Sequence, residues 1–159
     1  MTGLSMGGTL TLWAAAQFPD RFAGIIPINA AVSIDSPDMA ALAFNPDAPA
    51  ELPGIGSDIK APGVKELAYP VTPLPAIKHL IALGAVTQMM LPRIKCPALI
   101  IHSREDHVVP PRNGELILNA ISSTEKELLW LDNSYHVATL DNDKELILEK
   151  ILAFIKKHS

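Results

Sequence analysis

Short apolar runs alternate with amphipathic stretches along this chain, and the alternation predicts most of its elements. The mainly apolar runs at 23–29 and 98–102 are typical of buried strands of a parallel sheet, and the run at 127–131 predicts a third strand. Apolar residues at helical spacing predict helices over 9–18, 111–121 and 144–157. Strands that alternate with helices in this way indicate an α/β fold, with a parallel sheet of about three strands and crossover helices.

The stretch from 31 to 92 does not follow this alternation. Prolines at short intervals break any long element there, and they leave room for helices near 38–44 and 74–90. A structureless loop of this length is uncommon in a compact domain. We therefore predict an inserted cap or lid over 31–92, with a core formed by 1–30 and 93–159.

Composition and charge place the chain among soluble globular proteins. It is 48% apolar and 19% charged with a net charge of -4, which argues against binding to nucleic acid. No uninterrupted apolar run approaches the ~20 residues of a membrane span, so stable membrane insertion is not expected. A single cysteine, Cys96, and an N-terminus without the basic region of a signal peptide predict a cytoplasmic protein.

The first candidate for chemistry is Ser5, in the pattern Gly3-x-Ser5-x-Gly7 at the start of the first predicted helix. This pattern fits a nucleophile elbow, in which glycines on both sides let the backbone pass closely around a strained turn. The amide N–H of Met6 would then lie at a helix N-terminus and donate to a developing oxyanion. A glycine-rich helix start is the alternative interpretation.

The second candidate is Asp106, in the loop after the strand at 98–102. Catalytic groups lie at the carboxyl ends of such strands, and a carboxylate there can orient a histidine. A helix-capping role is the alternative for Asp106. Glu105 is a neighbouring alternative for the carboxylate, but the His-Val-Val-Pro that follows favours Asp106.

The third candidate is His136, in a loop just after the strand at 127–131. A catalytic base on a mobile loop fits this position. The order serine, aspartate, histidine, each after a predicted strand, is the order of the α/β-hydrolase triad. The five histidines lie far apart without metal-ligand spacing, so we expect no metal and no cofactor.

The chain resembles bacterial monoacylglycerol lipases and related carboxylesterases of the α/β-hydrolase superfamily. The similarity rests on GLSMGG at 3–8, IGSDIK at 55–60, KELAY at 65–69, EDHVVPP at 105–111 and NSYHVATLD at 133–141. It implies a partial α/β-hydrolase fold and a serine hydrolase that cleaves monoacylglycerol or short-chain esters. It also implies Ser5 as nucleophile, His136 as base, Asp106 as its orienter and the Met6 N–H as one oxyanion donor.

The resemblance extends to the cap. It places the KELAY stretch at the alcohol end of the pocket and implies that Glu66 accepts hydrogen bonds from glycerol hydroxyls. A solvated helix-end carboxylate is the alternative for Glu66. Apolar cap residues would either line an acyl pocket or simply pack the cap onto the sheet, and they are Ile55, Ile77, Leu80, Ile81, Leu83, Met89, Met90 and Leu91.

The family's domain carries further strands and a His-Gly loop before the elbow, and this sequence does not contain them. That loop supplies the second oxyanion donor, whose loss costs ~3 kcal/mol in the transition state. Two hypotheses follow. The chain is either a homo-oligomer whose copies cover each other's exposed sheet edge, or a catalytically incomplete fragment that needs an N-terminal partner segment. A related thioesterase or acyltransferase is the alternative enzyme.

Overall fold

The computed structural model describes residues 1–34 and 37–158. Helices pack on both faces of a central sheet, and a further segment lies over its carboxyl edge. In chain order the elements are β1 (Thr2–Leu4), α1 (Met6–Gln17), β2 (Ile26–Ile28), α2 (Pro37–Phe44), β3 (Glu51–Pro53), β4 (Val71–Pro73), α3 (Leu74–Met90), β5 (Ala98–Ser103), α4 (Arg112–Ala120), β6 (Lys126–Leu131) and α5 (Lys144–His158).

The central sheet has four strands in the order β1-β2-β5-β6, and all neighbouring pairs are parallel. The parallel α/β class predicted from the sequence is therefore confirmed, and the sheet has four strands where about three were expected. The additional strand is β1, in which Thr2 lies opposite Ile26. Three residues are too few to show a period, so only the pairing with β2 reveals this strand.

The core consists of two apolar clusters, one on each face of the sheet. One cluster joins α1 and α4 to the sheet through residues such as Leu12, Ile100 and Ile117. The other joins α5 to the opposite face through Ile101 and Ile147. Every residue of β5 is buried, as expected for a central strand covered by helices on both sides.

The segment between β2 and β5 contains α2, α3 and an antiparallel hairpin of β3 and β4. The two predicted helices are present, and α3 packs against α1 and α2. The hairpin was not predicted, because its strands end in Pro53 and Pro73, and proline weakens a strand pattern except at sheet edges. The proposed domain boundaries at 30/31 and 92/93 stay a prediction.

The sequence has no uninterrupted apolar run of about 20 residues, but one helix is long and apolar enough on average to span a membrane. Helix α3 continues into a short 3₁₀ turn, Leu91–Arg93, and within the 20 residues Leu74–Arg93 an 18-residue window has a mean hydropathy of 1.4. By length and composition this stretch meets the requirement for a span, and 22% of it is buried inside the protein. Charged Lys78 interrupts the apolar run, but it lowers the average over the stretch only slightly.

Candidate active site

Ser5, Asp106 and His136 come together at the carboxyl edge of the sheet. Ser5 directly follows β1, Asp106 lies in the loop after β5, and His136 lies in the loop after β6. His136 Nε2 is 2.8 Å from Ser5 Oγ, and His136 Nδ1 is 2.8 Å from Asp106 Oδ2. The three side chains form one continuous hydrogen-bonded line, as a nucleophile, a base and its orienting carboxylate require.

Ser5 occupies a sharp turn between β1 and α1. Its φ of 57° lies in the left-handed region, which is strained for a residue other than glycine. The Ser5 amide donates to the Ile28 carbonyl at 2.8 Å, and this bond holds the turn against β2. A Cβ on Gly3 would lie 2.3 Å from the Gly7 carbonyl oxygen, so only glycine fits before this turn.

The second glycine of the elbow pattern does not have the role expected from the sequence. A Cβ on Gly7 would meet no atom within 4 Å, so close packing does not require glycine there. The tight contact is at Gly8 instead, where a Cβ would lie 2.8 Å from Ala30 Cβ. The absence of a side chain at Gly8 allows α1 to pack closely against the residues after β2.

Met6 begins α1, so its backbone N–H is one of the groups that have no acceptor within the helix. Met6 also lines the cavity above Ser5. An oxyanion formed at a carbonyl attacked by Ser5 would face this helix N-terminus, where the helix dipole favours negative charge. The position of Met6 is therefore the one that the predicted oxyanion donor needs.

Asp106 is buried, and each of its oxygens has protein donors. Oδ1 accepts from the amides of Val108 at 2.9 Å and Val109 at 2.7 Å, and Oδ2 faces His136. The alternative carboxylate, Glu105, points away and pairs with Lys60 Nζ at 2.7 Å. The structure therefore places Asp106, and not Glu105, next to the histidine.

A second histidine lies beside Asp106. His102, on β5, is fully buried, and its Nε2 is 4.0 Å from Asp106 Oδ2. Burial lowers the pKa of His102, and the nearby Asp106 charge only partly offsets this effect. The buried ring of His102 is thus harder to protonate than an exposed imidazole, which favours its neutral form beside Asp106. Sequence reasoning missed this residue, because a histidine inside an apolar strand has no distinctive pattern.

Asn29, which directly follows β2, holds the backbone of the His136 loop through hydrogen bonds of its side chain. Its side-chain amide donates to the His136 carbonyl at 2.7 Å, and its Oδ1 accepts from the Ser103 amide at 2.8 Å. Asn29 is fully buried and has a positive φ of 44°, which asparagine tolerates better than most residues. Its position at the end of β2 was the only signal in the sequence.

A cavity of about 360 Å³ opens above Ser5 and His136. Its walls are mainly apolar, and three of the eight apolar cap residues singled out from the sequence contribute to them, namely Ile55, Ile77 and Leu80. The other five do not line it: Leu91 is in the core, Met90 packs against the core, Met89 is 84% exposed, and Ile81 and Leu83 are half-buried elsewhere on α3. Leu91 and Met90 therefore match the packing alternative, and exposed Met89 matches neither.

Glu66 is half-buried and lines the same cavity as Ser5. Its backbone amide donates to Ser57 Oγ at 3.0 Å, which ties this part of the chain to residues just after β3. A carboxylate in a mainly apolar wall is suited to accept hydrogen bonds from substrate hydroxyls. Across residues 1–34 and 37–158 there is no group of three or more His, Cys, Asp or Glu residues that could hold a metal ion.

Comparison with known proteins gives a family and named relatives. Residues 1–159 match the prolyl oligopeptidase family. The chain is 55% identical over 160 residues to the thermostable monoacylglycerol lipase of Bacillus sp. (strain H-257), covering 100% of this chain and 63% of that protein. It is 27% identical to a carboxylesterase of Bacillus subtilis (strain 168), covering 98% of this chain and 62% of that protein.

Solved structures agree with these matches. A structure of the metagenome-derived lipolytic enzymes LipS and LipT superposes with a TM-score of 0.98 and 83% identity, over 99% of this chain and 64% of that one. The monoacylglycerol lipase of Paleococcus ferrophilus has a TM-score of 0.83 at 19% identity, over 99% of this chain and 68% of that one, which shows a shared fold. The chain spans just under two thirds of the length of the curated relatives that it matches.

Proposed function

Because this chain belongs to the prolyl oligopeptidase family and has the α/β-hydrolase fold, we propose that it is a serine hydrolase of carboxylic esters. Its substrates are monoacylglycerols or short-chain esters, and the reaction passes through an acyl-enzyme on Ser5. One observation carries the proposal: the hydroxyl of Ser5 lies 2.8 Å from His136 Nε2 at the base of an apolar cavity. The His136–Asp106 contact completes the arrangement.

The proposed reaction has two acyl-transfer steps. In the first, Ser5 Oγ attacks the ester carbonyl while His136 Nε2 takes its proton, and Asp106 stabilises the imidazolium that forms. The oxyanion is stabilised by the Met6 N–H. The bond to the alcohol then breaks, and His136 gives its proton to the leaving oxygen. In the second step, water gives a proton to His136 and attacks the acyl-enzyme. His136 then returns that proton to Ser5 Oγ as the acyl–oxygen bond breaks, which releases the carboxylic acid and free Ser5.

Two observations favour an ester over a peptide as the substrate. The family is named for a peptidase, and the same three residues can also attack an amide. The cavity wall, however, is mainly apolar, which suits an acyl chain, and the 55% identical relative is named a monoacylglycerol lipase. A thioesterase or acyltransferase would use the same acyl-enzyme and stays the alternative enzyme.

The experiment that tests this function compares three substrates with the purified chain. A short nitrophenyl ester and a monoacylglycerol are expected to be hydrolysed, and a prolyl peptide nitroanilide is not. A fluorophosphonate probe is expected to label Ser5, as shown by mass spectrometry of the labelled peptide. Peptide cleavage without ester cleavage would refute the proposal. A folded sample with neither would favour the alternative that a further segment is needed for activity.

Replacing Glu66 with alanine is expected to lower kcat/KM for monoacylglycerol about tenfold more than for a short nitrophenyl ester. A hydrogen bond to a charged group contributes about 1.5–3 kcal/mol, and only monoacylglycerol has the hydroxyls that Glu66 would bind. Lys65→Ala, an exposed neighbour, serves as the control. Steady-state kinetics on both esters measure the effect, and equal losses on both would contradict the assignment of Glu66 to the alcohol site.

We also propose that the chain self-associates along β1. Among the described strands β1 pairs only with β2, and an apolar groove lined by Phe22, Ile151 and Phe154 adjoins it. A second copy would cover both the groove and the unpaired strand edge. Size-exclusion chromatography with light scattering is expected to give a molecular mass at least twice the 17.1 kDa of one chain. A monomer with full esterase activity would contradict this arrangement.

For the cellular setting we propose a cytoplasmic enzyme that neither inserts stably into a membrane nor binds nucleic acid. The net charge of -4 argues against binding to nucleic acid. The packing of α3 against α1 and α2 argues against membrane insertion, because a membrane-spanning helix would have to leave those contacts. Fractionation of cells into soluble and membrane material tests it. Recovery of the chain only after detergent extraction would contradict it.

A further inference from the structure

The residues between the two strands of the hairpin include a segment that no step of the proposed reaction uses. We call residues 55–61 the strap. It contains Asp58, which belongs to the IGSDIK pattern. The strap has no helix or strand of its own, and it passes directly beside the loops that carry Asp106 and His136. Its contacts with those loops are therefore what defines its place in the fold.

The side chain of Asp58 joins the two loops. Its Oδ2 accepts from the His107 amide at 3.1 Å and from the His136 amide at 3.0 Å. Its Oδ1 lies 2.8 Å from His107 Nδ1, and its backbone carbonyl accepts from the Val137 amide at 3.0 Å. His107 directly follows Asp106 in the chain. A single carboxylate thus holds the base itself and the neighbour of its orienting carboxylate.

Asp58 is charged where it makes these contacts. Partial burial by itself would raise the pKa of Asp58, but the hydrogen bonds from the His107 side chain and from the His136 and His107 amides outweigh it and lower the pKa. Hydrogen bonds to a charged acceptor are about twice as strong as those between neutral groups. The Asp58 side chain is only 14% exposed, so water competes little for them.

A second aspartate fixes the strap from its other end. Asp141, which is buried, accepts from the Lys60 amide at 2.7 Å, from the Ala61 amide at 2.9 Å and from the Tyr135 amide at 2.9 Å. Tyr135 directly precedes His136. The strap is therefore attached to the His136 loop at Asp58 and again at residues 60–61, and its position depends on that loop.

We propose that Asp58 is a positioning residue for the Asp106–His136 pair, an inference that rests on the proposed function. By binding the His107 and His136 amides with one oxygen, Asp58 fixes the separation of the two loops. That separation sets the 2.8 Å contacts of His136 with Asp106 and Ser5. A displacement of about 1 Å at a reacting group can lower the rate about 10²-fold.

Asp58 also lines the cavity, so a role in binding substrate is the competing assignment. Both of its oxygens, however, already accept hydrogen bonds or face a donor from the protein. Glu66 lines the same cavity, and only its backbone amide, which donates to Ser57, has such a bond among the hydrogen bonds of the described residues. The arrangement assigns Glu66 to the substrate and Asp58 to the loops.

The test compares Asp58→Ala and Asp58→Asn with Glu105→Gln. Glu105 also links the strap to the Asp106 loop, through Lys60, but it bonds neither amide and its side chain is 50% exposed. In hydrolysis of a short nitrophenyl ester, Asp58→Ala is expected to lower kcat about 30- to 100-fold with KM changed less than about threefold. Asp58→Asn retains an acceptor oxygen and should lose only about tenfold. Glu105→Gln should stay within about twofold of the unmodified protein.

Proton NMR of the hydrogen-bonded histidine ring provides a readout that does not depend on turnover. The proton shared by His136 Nδ1 and Asp106 is expected to give a downfield signal that Asp58→Ala removes and Glu105→Gln preserves. A rise in KM at unchanged kcat, or an unchanged kcat and signal, would overturn the proposal. If Asp58→Ala does not fold, Asp58→Asn carries the same comparison. Absence of turnover in the unmodified chain would refute the proposed function alone, since the ring signal still tests Asp58.

Discussion

Ser5→Ala is expected to abolish ester turnover and to lower kcat by a factor of about 10⁴ or more. Alanine has no oxygen to attack the carbonyl, so no acyl-enzyme can form, and His136 has no proton to accept at 2.8 Å. His136, Asp106 and the Met6 N–H remain in the variant, but without the Ser5 hydroxyl they have no nucleophile to assist. Initial rates with a nitrophenyl ester and a monoacylglycerol measure the effect, and fluorophosphonate labelling of the variant is expected to disappear.

The Ser5→Ala result requires a folded variant and a serine control. The Ser5 amide bonds to the Ile28 carbonyl through the main chain, so alanine keeps the turn, and thermal unfolding is expected to change little. Ser122→Ala changes an exposed serine between α4 and β6 and should leave turnover unchanged. Activity above a few per cent in Ser5→Ala would show that another group is the nucleophile.

Asp106→Asn is expected to lower kcat about 10⁴-fold, as in the serine-protease case on which that magnitude is based. Asp106 Oδ1 accepts from the Val108 and Val109 amides, so the asparagine oxygen will take that place. Its amide group will then donate to His136 Nδ1. This forces the tautomer with the proton on Nε2, which can no longer accept the proton of Ser5.

The Asp106→Asn result is measured as kcat against pH, with Glu105→Gln as the matched control in the same loop. Asparagine has the same shape as aspartate, so KM and the unfolding temperature are expected to change little. A loss of less than about tenfold, or an equal loss in Glu105→Gln, would contradict the assignment of Asp106 as the orienting carboxylate. Buried His102, 4.0 Å from Asp106 Oδ2, is unchanged in both variants.

Pattern reasoning worked best where one property dominates an element. Strands β5 and β6 were visible because each contains an uninterrupted run of apolar residues, and α5 because one face is apolar over about four turns. It failed where an element is short or its residues have mixed character. Strand β1 has three residues, and the hairpin of β3 and β4 contains prolines, so neither shows a period.

For the candidate site, the sequence could name Ser5, Asp106 and His136, because each follows a strand in the order that one fold uses. It could not identify Asn29, Asp58 or His102. These residues act through contacts with chain segments 49 to 107 residues away or through burial, and no local pattern reports either. The quoted IGSDIK pattern contained Asp58 but gave no reason to choose it.

The sequence by itself determined the α/β class, the positions of the main helices and strands, and the chemical identity of the three candidate catalytic side chains. These depend on the apolar period and on residues adjacent to strand ends, which are local properties. Only the tertiary structure decided that Asp106 rather than Glu105 meets His136, that three of eight cap residues line the cavity, and that Asp58 joins two loops. Those outcomes depend on distances between segments far apart in the chain, which are set by packing of the whole fold.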